Sequence, residues 1–270
     1  GDFLSEFKRQ YPEEIVKGAA PRISWFWHCQ DWKRRYPVMQ PEYRTVETGV
    51  NSYHFVEELA KHLDDDAIIV TDVGAGFISP MQSMPIKRGQ RMFHSGGVSA
   101  MGYGLPASIG AYQAGGGRQT ICLTGDGGLM FNLQELQTIA HHRLPIKIFV
   151  FCNDGYLTMR ATQNNFFKRE SISSPQSGLS MPDFCSIANS FELTATSIGS
   201  SEHIDYVGRV LKGEGPWLCE VRMPKDQILA PRVLTKTDAS GKFIPTPLED
   251  MFPFLSREEF NANMIVKTVS

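Results

Sequence analysis

The chain has 270 residues, a formal net charge of -2 and a hydrophobic share of 41%, which suits one large domain with a filled core. Acidic and basic residues are interspersed, and the absence of a Lys/Arg block argues against a nucleic-acid partner. No apolar run approaches a membrane span, and the N-terminal GDFLSEFKRQYPEE lacks the apolar stretch of a secretory signal.

Residues 1–45 stand apart from the rest. Leu4, Phe7 and Tyr11 are spaced to line a short helix, and PRISWFWHCQDWKRRYPVMQPEY then holds three of the four tryptophans. A segment so aromatic and so short reads as a connector that packs on something else. From Gly49 to about Pro224 helix and strand patterns alternate. Asn51-Ser52 caps a helix whose Phe55, Val56, Leu59, Ala60 and Leu63 share one face. AIIVTD (67–72) is a short buried strand, and the Gly/Ala-rich VSAMGYGLPASIGAYQAGGG suits a tightly packed helix after a glycine turn. QTICLTGDG is the next strand, with Asn132 and Glu135 expected to form a capping box for the helix LQELQTIAHH. IKIFVFCND is a third strand. Ser180-Met181-Pro182-Asp183 starts a helix carrying Phe184, Ile187, Ala188 and Phe191. ELTATSI, a helix around Ile204, Val207, Val210 and Leu211, and the strand WLCEVRM (217–223) complete the pattern.

Strands separated by helices predict an α/β fold, a doubly wound parallel sheet flanked by helices, with irregular N- and C-terminal extensions. Ligands of such sheets bind at the carboxyl ends of strands, which brings together the loops 72–77, 124–128 and 152–156. The tail from about 230 mixes prolines with large apolar residues and is expected to wrap back over the domain. The five cysteines, at 29, 122, 152, 185 and 219, are odd in number and form no CxxC. They read as reduced thiols of a cytoplasmic protein, and no Cys/His spacing suggests zinc.

The chemistry concentrates in two strand ends. Gly125-Asp126-Gly127 follows one apolar strand and Asn153 ends the next. Asp126, Asn153 and a backbone carbonyl just past it, that of Gly155, form an oxygen set for a hard divalent cation. Gly127 and Gly128, just before a helix, suit a diphosphate on the same ion. Val73-Gly74-Ala75-Gly76-Phe77 is a second small-residue loop able to offer amides. A nicotinamide-binding domain fits poorly, because VGAGFIS lacks the third glycine of GxGxxG.

Gly125-Asp126-Gly127, then 25 residues (128–152), then Asn153 resembles the thiamine diphosphate motif. HSGGVSAMGYGLPASIGA (94–111) and GLMFNLQELQTIAHHRLPIKIFVFCNDGYLTM are similar to the acetolactate synthase family. The chain thus resembles the diphosphate-binding (PP) domain of a thiamine diphosphate enzyme of the acetolactate synthase large-subunit kind, over about 49–225. On that reading 1–45 is a linker or remnant of a preceding middle domain, 46–228 is the PP domain and 229–270 is a tail packing on it. PLEDMFPFLSREEF resembles a synthase-like subgroup associated with surface-sugar biosynthesis.

The resemblance implies roles residue by residue. Asp126, Asn153 and the Gly155 carbonyl would hold Mg²⁺. Gly125, Gly127, Gly128, Tyr156 and the 73–77 loop would bind the cofactor. The Ser99 carbonyl and Met101 amide would contact its aminopyrimidine, with Met101 beneath the bent cofactor, and Met159 would border the substrate pocket. Ser99 stands where the family usually has glycine. Gly76 and Phe77 stand where the synthases carry polar Gln and His. The family's activating glutamate lies on a pyrimidine-binding (Pyr) domain, and Glu57, Glu58 and Glu135 fall outside its context. No catalytic residue is therefore assigned within this chain, and turnover by the chain alone is not expected. The implied activity is decarboxylation of pyruvate or another 2-oxo acid with acyl transfer to a carbonyl acceptor, in a homo-oligomer, with FAD in some family members. The alternatives are a 2-oxo acid decarboxylase or aldehyde lyase, and a non-catalytic partner-binding domain.

Overall fold

A computed structural model describes residues 4–6, 9, 19–237, 240–244 and 246–266. Two units are distinguished, Gly1–Gln40 and Pro41–Ser270. The described part of the first is dominated by helix α1 (Ala19–Arg35). Trp32 is the hub of an aromatic cluster on it, edge-on to Trp25 at 5.6 Å and to His28 at 4.8 Å. Ile23, Trp25, Phe26 and Trp27 nonetheless remain more than half exposed. Phe7 and Tyr11, expected on a helix with Leu4, lie outside the described residues.

The second unit is built on a six-stranded, all-parallel sheet in the order β2-β1-β3-β4-β6-β5. Its strands are β1 (Ile68–Thr71), β2 (Arg91–Phe93), β3 (Thr120–Gly125), β4 (Lys147–Cys152), β5 (Thr194–Ile198) and β6 (Trp217–Arg222). The expected α/β doubly wound sheet is therefore present. β1, β3 and β4 read as unbroken apolar runs because helices cover both of their faces.

On one face lies α2 (Ser52–His62), whose Phe55 packs against Phe149 and Phe151 of β4. Asn51 caps α2 by accepting from the Tyr53 amide, and all five apolar residues expected on its inner face are buried. Beside it run α3 (Ala75–Ser83) and α9 (Val207–Lys212). The opposite face holds α4 (Gly104–Ala114), α6 (Glu135–His141) and α8 (Phe184–Ser190), whose Leu105, Leu136, Ile139 and Phe184 form one core with Ile148, Val150 and Leu218. Asp183 caps α8 through the Ser186 amide.

The expected capping box of Asn132 and Glu135 is not formed. Residues 131–134 are turns and α6 begins only at Glu135. The Asn132 amide instead donates to the Gly102 carbonyl at 2.7 Å, and the Glu135 carboxylate accepts from the Thr138 hydroxyl at 3.0 Å. A long-range contact has thus taken the side chain that local pattern assigned to a cap.

Two helices complete the site end of the sheet. The short α5 (Asp126–Leu129) follows β3 directly, and α7 (Leu157–Phe167) follows β4. Beyond β6 the chain runs back across the domain. The Tyr53 hydroxyl accepts from the Ala230 amide and donates to its carbonyl, and the Gln82 amide donates to the Pro231 carbonyl. A hairpin of β7 (Lys236–Thr237) and β8 (Phe243–Ile244) places Phe243 edge-on to Phe166 of α7, at 4.9 Å. The last described helix, α10 (Arg257–Asn263), is anchored by a bidentate Arg257–Asp250 pair with both bonds at 2.9 Å.

Candidate cofactor-binding site

The winding of the sheet reverses between β1 and β3, so a crevice opens where their carboxyl ends diverge. β3 ends at Gly125, and Asp126 is the first residue of α5. The Asp126 side chain is buried, with 2% of its surface exposed. One carboxylate oxygen accepts from the Gly127 amide at 2.7 Å, the other from the amides of Asn153 and Gly155 at 3.0 and 3.1 Å. These last two bonds tie the end of β3 to the end of β4. Burial pushes the Asp126 pKa up to about 6, against the three amides, which favour the anion. Among the described residues no basic side chain pairs with it.

Asn153 is buried beside this carboxylate, and Gly155 adopts φ +137°, a conformation suited to glycine. A Cβ on Gly155 would overlap the Ser173 carbonyl. That carbonyl also accepts from the Tyr156 amide at 3.0 Å and from Arg160 at 3.0 Å.

At the end of β1, Asp72 gathers a different set of donors. It accepts from the amides of Gly102 and Gly104 at 3.1 and 3.3 Å and from the Thr124 hydroxyl at 3.0 Å. The 95–104 segment is thereby held against both strand ends. Its Met101 side chain reaches the Gly127 backbone from one side, where a Cβ on Gly127 would come within 3.4 Å of the Met101 methyl. The Tyr156 ring covers Gly127 so closely that a Cβ there would overlap it. Ser99 has φ +52°, a left-handed value that favours glycine.

The small-residue segment 73–77 differs from the loop read in the sequence. Gly74, at φ +63°, caps α3, and residues 75–77 are already its first turn. The Phe77 amide bonds the Gly74 carbonyl at 3.1 Å, and the Phe77 ring packs on His94 at 4.3 Å. The amides that α3 presents at its start are therefore those of Ala75 and Gly76. The structure thus gathers Asp126, Gly127, Asn153, Gly155 and Tyr156 directly, and ties Met101 and the start of α3 to them. Met159, on α7, is about half exposed. Asp72 and Arg160 were not marked by sequence reasoning, since their partners lie on distant segments.

These residues fit a divalent cation carrying a diphosphate. Asp126 is a buried carboxylate without a basic partner, a costly state that a cation relieves. The Asn153 side-chain oxygen and the carbonyls of 153–155 are the hard donors such an ion prefers. At Gly74, Gly97 and Gly125 a Cβ would meet only open space, so the backbone there leaves room for a close-lying group.

Comparison with known proteins gives the family. Residues 72–221 match the family described as "Thiamine pyrophosphate enzyme, C-terminal TPP binding domain". The chain belongs to this family. This thiamine pyrophosphate-binding domain is 30% identical over 216 residues to the acetolactate synthase isozyme 1 large subunit of Escherichia coli, covering 80% of the chain and 38% of that relative. It is 31% identical over 240 residues to the acetolactate synthase large subunit of Parasynechococcus marenigrum, covering 86% of the chain and 37% of the relative. Among solved structures it is similar to the Rhodococcus jostii RHA1 thiamine diphosphate-dependent 4-hydroxybenzoylformate decarboxylase. The TM-score is 0.59 at 25% identity, covering 66% of this chain and 33% of that one. The domain thus spans little more than a third of the curated relatives it matches.

Proposed function

We propose that this domain is the cofactor-holding part of an acetolactate synthase-like carboligase. Together with a pyrimidine-binding domain, the whole enzyme would decarboxylate pyruvate or another 2-oxo acid and pass the acyl unit to a carbonyl acceptor. The observation that carries this reading is the Asp126 carboxylate, buried between two strand ends and bonded, among the described residues, only by the backbone amides of Gly127, Asn153 and Gly155. The synthase relatives supply the reaction class.

Asp126, the Asn153 side chain and the Gly155 carbonyl would hold Mg²⁺. The first-turn amides of Ala75, Gly76 and Gly128 would face the diphosphate, while the Gly127 amide serves the Asp126 carboxylate. The Ser99 carbonyl and the Met101 amide would receive the aminopyrimidine, with Met101 and Tyr156 flanking Gly127. Bound there, thiamine diphosphate supplies the carbanion chemistry that a 2-oxo acid needs to lose CO₂. The domain's own part is to fix the diphosphate, set the bend of the cofactor and keep the cation in place. The glutamate that activates the ring belongs to the completing domain, so the site is assembled between domains of an oligomer. The five cysteines are free thiols, in keeping with a cytoplasmic enzyme. No described helix is long and apolar enough to cross a membrane.

Calorimetric titration of the domain with thiamine diphosphate and Mg²⁺ tests the site, and an Asp126→Ala protein that bound equally well would remove it. Similarity to a decarboxylase favours a second reading, a 2-oxo acid decarboxylase without ligation. Product analysis of the whole enzyme separates the two: acetolactate-type products support the first, free aldehyde alone the second.

A further inference from the structure

We propose that Arg160 is a positioning residue that sets the cation loop and so tunes which divalent ion the site accepts; this rests on the site reading above. Arg160 lies in the first turn of α7 and is only 4% exposed. Its Nη1 donates to the Ser173 carbonyl at 3.0 Å and to the Asp154 carbonyl at 3.4 Å. Its Nη2 donates to the Asn153 carbonyl at 3.0 Å, approaches the Asn153 side-chain oxygen at 3.5 Å and also donates to the Lys225 carbonyl. The Asp226 carboxylate is 3.8 Å from Nε and largely exposed, and the Glu170 carboxylate feels the guanidinium only at longer range. This buried, permanently charged group is therefore satisfied chiefly by backbone carbonyls.

That arrangement has a physical consequence. A guanidinium presents its donors in one rigid plane, so each carbonyl it holds is fixed in direction as well as distance. Two of those carbonyls belong to residues 153 and 154, and the same cation steadies the Asn153 side chain. A third, that of Ser173, also accepts from the Tyr156 amide at 3.0 Å, so the residue 155 peptide is confined from both sides. The fourth, that of Lys225, ties the chain leaving β6 to the same point. Arg160 is a cation itself and no ligand; it acts through Asn153 and its neighbours.

Mg²⁺ demands near-ideal octahedral geometry at about 2.0–2.1 Å, whereas Ca²⁺ tolerates a looser shell at about 2.3–2.6 Å. A rigid carbonyl loop should favour Mg²⁺, and a loosened one should lose that preference. The test uses the 270-residue chain and its Arg160→Lys and Arg160→Gln variants with thiamine diphosphate present. Bound Mn²⁺ is followed by electron paramagnetic resonance and displaced by Mg²⁺ or Ca²⁺. Mg²⁺ affinity is expected to fall about tenfold or more in both variants, as for other groups that orient metal ligands, while Ca²⁺ affinity falls less than about threefold. Equal losses for both ions, unchanged affinities in a folded variant, or variants that both fail to fold would each overturn the proposal in favour of a purely structural role. Asp126→Ala separates the two levels. If it binds Mn²⁺ like the parent chain, the site reading itself is lost. If it loses Mn²⁺ while the Arg160 variants keep the parental Mg²⁺/Ca²⁺ ratio, only the role of Arg160 falls.

Discussion

Two aspartates, Asp72 and Asp126, stand at adjacent strand ends of one sheet and are built by the same device. Each is buried, each collects backbone amides from a neighbouring loop, and burial raises the pKa of each above the ordinary carboxylate value. What surrounds them differs. Asp72 faces donors, the amides of Gly102 and Gly104 and the Thr124 hydroxyl, so its oxygens are used in knitting the 95–104 segment to β1 and β3. Asp126 accepts from backbone amides alone, those of Gly127, Asn153 and Gly155, and has no side-chain donor among the described residues. On the proposed reading, the first acid organises the fold and the second is left to take a cation.

The comparison can be broken by mutation. The largest effect is expected for Asp126→Ala, which should weaken Mg²⁺-dependent thiamine diphosphate binding about 1000-fold, or ~4 kcal/mol, by calorimetry. Asp72→Ala should act on the fold instead. Three buried donors lose their acceptor, and urea unfolding should register a loss of about 3 kcal/mol. A comparable binding defect in both variants would erase the distinction.

Proton linkage sharpens it further. The Asp126 pKa rises from its ordinary 3.8 to about 6 in the fold. The folded state therefore holds this proton more tightly than the unfolded chain. That advantage is complete below about pH 4 and is lost as pH rises through 6, a decline of about 3 kcal/mol in cation-free buffer. With Mg²⁺ and thiamine diphosphate the slope over the same window should reverse, because the cation binds the ionised form. Thermal unfolding at several pH values, with and without the ligands, reads both slopes. Gly155→Ala should cost about 2 kcal/mol, since its positive φ and the adjoining Ser173 carbonyl both resist a side chain. The smallest change is expected for Phe243→Ala, about 1 kcal/mol, from one half-exposed ring contact with Phe166.

Much of the sheet was legible in sequence because β1, β3 and β4 are continuous apolar runs and because Asn51 and Asp183 cap their helices by local bonds. β2 was not, being a three-residue edge strand, Arg91–Phe93, with no apolar run. α3 contains Gly76 and Pro80 and so reads as a loop. In α7 only Leu157 and Arg160 are buried, and a helix held by a buried arginine and a glutamine has no apolar period to find. At the site, Asp126 and Asn153 were visible through spacing and neighbouring glycines. Asp72 and Arg160 were not, because their bonds reach to Gly102, Thr124, Ser173 and Lys225, and nothing local marks a carbonyl that an arginine will hold. Asn132 shows the converse: a convincing local cap overridden by a partner 30 residues away.

The most direct test of the cation reading is diffraction from the domain grown with Mn²⁺ and thiamine diphosphate, with data collected at the manganese edge. The account predicts one anomalous peak coordinated by Asp126, Asn153 and the Gly155 carbonyl, with the diphosphate completing its shell. A peak elsewhere, or a diphosphate bound without a metal touching Asp126, would contradict it.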